Sequence, residues 1–216
     1  MKLIEQLLNL IYPPRCMLCR KILRDEEKDI CHKCADTMLH IQNFECRRDI
    51  EHIRLCLAPF SYKDELRKSL HRYKFSGAAA YGRIYAEFIA KSIDENAISC
   101  DIISWVPVSR RRLRERGYDQ AEIIARALAG ELGVPCERLL CKVKENKRQS
   151  SLSSKDERKR NVAGVYRCVA KEELFGKRIL LVDDIITSGE TISEAAKTLK
   201  RSGCTEIYAA AAALRI

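Results

Sequence analysis

The sequence predicts an α/β fold built on a mostly parallel sheet, with a small four-cysteine module in front of it. Three observations carry this. Strand-like and helix-like segments alternate from residue 57 to the end. One apolar run, Ile179 to Val182, closes on two adjacent carboxylates and then on a Thr-Ser-Gly turn that leads into a helix. Two Cys-x-x-Cys pairs fall within the first 36 residues. Alternation of strands and helices is the pattern of parallel sheets flanked by helices.

The chain of 216 residues has room for one medium domain and an accessory module. The divisions expected are 1–45 for an N-terminal helix and metal module, 46–56 for a connector, and 57–216 for the α/β domain. Residues 1–11 read as a short amphipathic helix that packs on its own protein. A patternless segment from 37 to 55 follows the cysteines. A strand is expected at 57–62 and helices at 63–73, with Gly77 as a C-cap, and at 79–93. A buried strand over 101–107 leads into an arginine-rich loop, and Asp119 caps a helix that runs to Leu132. The polar, serine-rich stretch 142–163 has almost no hydrophobic anchor and reads as a long mobile loop. Extended structure resumes at 164–169. A strand at 178–182, a turn at 185–191, a helix at 192–201 and a final strand at 207–214 complete the order. The last strand contains five consecutive alanines, which by themselves favour a helix.

The longest apolar stretch, Tyr208 to Leu214, is far short of the ~20 residues needed to cross a bilayer. No cleavage site follows the N-terminal segment, so no signal peptide is expected. Eleven cysteines, an odd number, fit a reducing compartment, and the expected location is the cytoplasm. The net charge of +10 is concentrated in two places. Residues 110–116 hold five arginines and one glutamate, and residues 142–160 hold eight Lys/Arg against three Asp/Glu. Such local excess implies a polyanionic partner: a nucleotide, a diphosphate or a nucleic acid.

Cys16, Cys19, Cys31 and Cys34 form two knuckles whose sulfurs can converge on one Zn²⁺ in a tetrahedral site. Four ligands leave no open position, so the role expected is structural. His32 lies between ligands and is read as a solvated knuckle residue. Cys46 and Cys56 are read as ordinary thiols. Chelation is expected to melt residues 1–40 and leave the rest folded.

In Val182-Asp183-Asp184-Ile185-Ile186-Thr187-Ser188-Gly189-Glu190-Thr191, backbone N–H groups and hydroxyls at a helix N-terminus make a cradle for a phosphate monoester. Ligands in open α/β sheets lie beyond the carboxyl ends of the strands. Asp183 and Asp184 can accept hydrogen bonds from ribose hydroxyls and, as oxygen donors, help hold Mg²⁺. This stretch resembles the signature of type I phosphoribosyltransferases at every position. The resemblance implies that fold, a phosphoribosyl diphosphate ligand bound with Mg²⁺, and displacement of diphosphate from a ribose.

The segment Arg110 to Gln120 also resembles the ComF family of competence proteins. Arg112, Arg114, Arg116, Gly117, Tyr118 and Gln120 match that pattern, and Asp119 replaces the usual Asn. His71 to Gly77 looks like the Leu-Lys-Tyr/Phe-x-Gly element of the family. Gln149, Leu152, Arg158, Asn161, Val162 and Gly164 match a further segment, where Asn146 replaces the usual Thr. Many members carry a second cysteine set, of which only Cys46 and Cys56 remain here. The resemblance implies a role in DNA uptake at the inner face of the membrane. It implies a catalytic group of Asp183, Asp184, Arg112 and Arg116, with the arginines on the diphosphate and the acceptor unknown. A sugar-phosphate-binding group would comprise Asp183, Asp184, Thr187, Ser188, Gly189, Glu190 and Thr191. The alternative reading is a non-catalytic module that keeps the nucleotide site and holds single-stranded DNA or a competence helicase. In that reading residues 142–160 grip the strand; in the first they close over the site. Tyr118 and Tyr166 offer rings near the basic segments for stacking.

Overall fold

The computed structural model describes residues 13–36, 46–75, 79–145, 160–170 and 173–215. The expected N-terminal helix, the Gly77 cap and most of the 142–163 loop, including Asn146, Gln149, Leu152 and Arg158, lie outside the described residues.

Eight strands and five helices are described. In chain order they are β1 (Cys46–Arg48), β2 (Leu55–Ala58), β3 (Phe60–Ser61), α1 (Asp64–Phe75), α2 (Tyr81–Glu95), β4 (Ile102–Trp105), α3 (Arg110–Arg116), α4 (Gln120–Leu132), β5 (Leu140–Lys142), β6 (Tyr166–Cys168), β7 (Arg178–Ile186), α5 (Glu190–Arg201) and β8 (Glu206–Leu214). The main sheet runs β1-β2-β8-β7-β4, with β3 also paired to β8. All its pairings are parallel except β1 with β2. β5 and β6 form a separate antiparallel ribbon.

Two features depart from the sequence reading. The segment 37–55, expected to lack pattern, contains β1, an edge strand whose Arg47 lies opposite Leu57. The arginine-rich segment is not a loop but the helix α3. The Ser109 hydroxyl accepts from the Arg112 N–H at its start, and Gly117, at φ 81°, ends it in the left-handed conformation.

The alanine-rich strand is as expected. β8 sits at the sheet centre, and Ala209 to Ala213 are wholly buried. Ala210, Ala212 and Ala213 belong to the core layer that holds α2 and α4, while Ala209 and Ala211 belong to the layer under α5. Hydrogen bonding from both sides overrides the helical preference, and the small side chains let helices close on both faces. Asp119 caps α4 through the N–H groups of Ala121 and Glu122. At the opposite end of the sheet, Arg178 grips Asp101 through two side-chain bonds of 2.8 and 3.2 Å, tying the start of β7 to β4.

α2 and α4 cross at Gly82. A Cβ added there would stand 2.5 Å from Ile123 Cγ2 and 2.8 Å from the Tyr73 hydroxyl. Tyr73 is wholly buried and cannot give way, so Gly82→Ala should destabilise the chain by about 1–3 kcal/mol in denaturant melts.

Candidate functional site

The cysteine module is built as its spacing requires. The Cys16 carbonyl accepts from the Arg20 N–H, and the Cys31 carbonyl from those of Cys34 and Ala35, which bends each Cys-x-x-Cys into a knuckle. All four sulfurs lie within 4.8 Å of one another, and Cys19 Sγ is 3.7 Å from Cys31 Sγ. Tetrahedral zinc with bonds of about 2.3 Å sets its sulfurs roughly 3.8 Å apart, so the group fits the ion. Burial raises the Cys16 thiol, yet N–H groups of Cys31, Cys19 and Leu18 outweigh it and bring it down to about 7. His32 is exposed and turns to Glu27, 3.2 Å away. Cys56 is a buried core thiol, pushed up to about 12 by burial.

The module is not a detached appendage. Cys16, Met17, Leu18, Leu23 and Cys31 share one hydrophobic cluster with Leu70, Tyr73 and Tyr85 of the α/β domain. Arg72 of α1 donates to the carbonyls of Met17 and Leu18 at 2.5 and 2.6 Å. Asp29 pairs with Arg83 of α2 at 3.0 Å. The knuckles supply part of the main core, so the effect of chelation is expected to reach beyond residues 1–40.

The second cluster lies where β7 ends. β7 runs on through Asp183 and Asp184 to Ile186, further than expected, and residues 187–189 turn the chain into α5. Neighbouring residues of a strand project to opposite faces. Asp184 is buried and meets Lys74 of α1 at 2.8 Å. Asp183, half-buried, accepts from the Asp184 N–H at 2.8 Å. Its charge acts on Lys142 of β5 and Tyr166 of β6, on the other face. Although part of its surface is open, protein surrounds the Asp183 carboxyl. That burial and the charge of Asp184 push it up to about 8, against the pull of Lys74. Lys74 is a site residue that the sequence reading did not single out by a role. Its place at the end of an amphipathic α1, within the segment His71 to Gly77, was the signal available.

Gly189 takes φ 89°, a backbone that only glycine adopts without strain. It is buried beneath Ile50, whose Cδ1 lies 3.0 Å from the point where a Cβ would stand. The turn is thus closed on that side. Arg48 of β1 donates to the Thr187 carbonyl and, at 2.7 Å, to that of Arg215. The Ser193 hydroxyl donates to the Glu51 carbonyl at 3.1 Å. Residues 48–51, which sequence reasoning missed, therefore brace the turn. Glu190 is buried, and its Oε2 has no hydrogen-bond partner among the described residues.

The arginines divide by helix face. Arg110, Arg111 and Arg114 are exposed, whereas Arg112 and Arg116, four residues apart, are half-buried. Arg116 donates to Gln120 Oε1 at 2.7 Å, and the charge of Arg112 acts on Lys142 and Tyr166. Tyr118 donates its hydroxyl to the Tyr73 carbonyl and is half-buried, whereas Tyr166 is buried, so its ring does not lie open for stacking. Burial pushes Asp119 up to about 6, with a contribution from Asp184. Asp184, Lys74, Asp119 and Gln120 thus converge around Tyr73, whose hydroxyl donates to the Gln120 carbonyl at 2.7 Å.

A parallel sheet with acids at the end of a central strand, a turn into a helix and a four-sulfur knot define a phosphoribosyltransferase-type domain joined to a zinc ribbon. Comparison agrees with both parts. Residues 116–215 match the family described as phosphoribosyl transferase domain, and residues 7–56 match the double zinc ribbon domain. The chain is 28% identical to competence protein F of Haemophilus influenzae, over 89% of this chain and 93% of that one. It is 27% identical to DNA utilization protein YhgH of Salmonella typhimurium, over 92% and 96%. Against competence protein ComFC of Bacillus subtilis it is 26% identical, over 87% and 78%. Along most of its length the chain is thus similar to the competence and DNA-utilization proteins of the ComF type. Among solved structures, glutamine phosphoribosylpyrophosphate amidotransferase from Bacillus subtilis aligns at a TM-score of 0.41 and 23% identity, over 65% of this chain and 30% of that one. No helix among the described residues is long and apolar enough to cross a membrane.

Proposed function

We propose that the chain binds phosphoribosyl diphosphate at the carboxyl end of β7 and acts in DNA uptake, the role suggested by the names of its relatives. The observation that carries the reading is the β7–α5 corner, where two carboxylates precede a left-handed glycine and the first turn of α5. The amides of residues 187–191 receive the 5-phosphate. Asp184 and Asp183 flank the ribose hydroxyls from the α1 side and the β5–β6 side. Lys74, paired with Asp184 at 2.8 Å, places a cation beside the ribose end of the site. Arg112 and Arg116, on the inward face of α3, bind the diphosphate as planar forks.

Magnesium fits this arrangement only as an ion carried by the ligand. The one described group of three or more metal-ligating side chains is the cysteine cluster, so the carboxylates offer no complete cage. Mg²⁺ typically keeps its waters and takes one or two carboxylates with substrate phosphates. Asp183, which has no cation in direct contact among the described residues, is the carboxylate to meet it. When bound, the ion would neutralise the departing diphosphate. The residues of the chain would orient the ribose and exclude water, so the reading leans towards a transferase of phosphoribosyl groups with an acceptor still to be identified.

Calorimetry with phosphoribosyl diphosphate and Mg²⁺ tests this. Binding is expected for the native chain and should fall at least ~30-fold, about 2 kcal/mol, on Asp184→Ala or Thr187→Val. Unchanged affinity in both variants would remove the reading.

A further inference from the structure

A second cavity lies apart from the phosphate turn. It has a volume of about 480 Å³ and opens between the end of β4, helices α3 and α4, and the β5–β6 ribbon. None of residues 183–191 lines it. Its size suits a ligand of a few hundred daltons.

Its lining is chemically lopsided. Arg110, Arg138, Lys142, Lys144 and Arg167 all reach it. None of the five has a carboxylate within 4.0 Å among the described residues. Of the three acids in its wall, Glu122 is held by Arg126 at 2.8 Å, and Asp119 is engaged by backbone N–H groups, including that of Val108 at 2.9 Å. The third, Glu145, acts on Lys142 only at a distance. Lys142 is the central cation. It lies 5.7 Å from the centre of the Tyr166 ring, and burial together with the nearby Arg112 lowers its ammonium to about 8. Buried cations are normally paired, because removing a charge from water is costly.

The mouth supplies a second, independent observation. Leu113 and Val143 line the cavity and are two of the five large hydrophobic residues exposed on the described surface. Trp105, under the Arg126 guanidinium at 5.3 Å, forms part of the inner wall. Unpaired cations at the ribbon and an uncovered apolar rim call for one ligand with both characters.

We propose that this cavity is a second ligand site, taking a small molecule that joins a phosphate to a flat apolar body, the chemistry of a nucleoside monophosphate. The phosphate sits against Lys142 and Arg167, and the flat body covers Leu113 and Val143. The site is separate from the phosphate turn and does not depend on the function proposed for it.

Calorimetry on the full chain at low salt tests it, with AMP and inorganic phosphate as probes. AMP should bind, inorganic phosphate should bind at least ~10-fold more weakly, and AMP binding at the cavity should persist in Thr187→Val. Lys142→Gln and Arg167→Gln should each weaken AMP at least ~10-fold while melting as the native chain does. Because the bound phosphate raises the Lys142 pKa, AMP binding near pH 8 should take up protons, measured as a dependence of the observed heat on the ionisation heat of the buffer. Asp119, Glu122, Cys141, Lys144 and Glu145 are the other ionisable groups in the wall beside the arginines, Arg112 and Asp183 also act on Lys142, and Lys142→Gln should abolish the uptake. Loss of AMP binding on Thr187→Val would put the nucleotide in the phosphate turn and overturn the proposal. So would equal affinities for AMP and phosphate, or full AMP affinity in both cavity variants.

Discussion

Stripping zinc from the folded chain is expected to lower its melting temperature by about 10 °C or more, and in a single transition. Structural zinc contributes ~10 kcal/mol or more to folding in zinc-finger peptides. Here part of that energy is coupled to the α/β domain. Met17 and Leu18 are almost wholly buried in the cluster that includes Leu70, Tyr73 and Tyr85. Arg72 is anchored on their carbonyls. Releasing the knuckles uncovers that face of α1 and loosens Arg72. Loss of even ~4 kcal/mol shifts the melting point of a domain this size by roughly 8–16 °C. Cys31→Ser should have the same effect as chelation, since three thiolates hold the ion poorly. Elemental analysis should find one zinc per chain. A melt in which the α/β domain unfolds at its native temperature after chelation would show that the module packs without contributing.

Replacing Asp183 with asparagine should stabilise the chain at pH 8 while abolishing ligand binding. The carboxyl is pushed up to about 8 in the fold, against ~3.9 when unfolded. Between those values the folded state holds a proton that the unfolded state has released. Stability therefore falls as pH rises from about 4 towards 8. Asp119, pushed up to about 6, adds a slope of the same sign between about 4 and 6. Asp183→Asn removes the larger contribution, so its stability curve above pH 6 should be flatter. Because Asp183 is only half-buried, the gain at pH 8 is set at about 1–3 kcal/mol rather than the full shift. Urea melts at pH 5 and pH 8 would measure it. A variant with the native slope would mean that Asp183 ionises freely. An acid kept at such a cost is characteristic of a functional site, where stability yields to ligand binding.

The neighbouring acid is poised differently. Asp184 has Lys74 at 2.8 Å, and the reason could not be read from order along the chain. Seventy-three peptide bonds precede Lys74, and more than a hundred residues separate it from Asp184. Only the packing of α1 beside the end of β7 joins them. The same holds for Ile50 and Arg48, which brace the turn at residues 187–189 from a segment that carries no local pattern.

What the sequence by itself determined was local. Cys-x-x-Cys spacing specifies a knuckle, an apolar run specifies a buried strand, and Asp119 specifies a helix start, because each rests on contacts within a few residues. Tertiary structure alone decided the rest. It turned Arg112 and Arg116 inward, covered Gly189 with Ile50, welded the zinc module into the main core and left five cations around one cavity with no carboxylate within 4.0 Å among the described residues. Those outcomes follow from which distant surfaces are buried together, and burial sets the charge, reach and cost of a side chain only once the whole chain has closed around it.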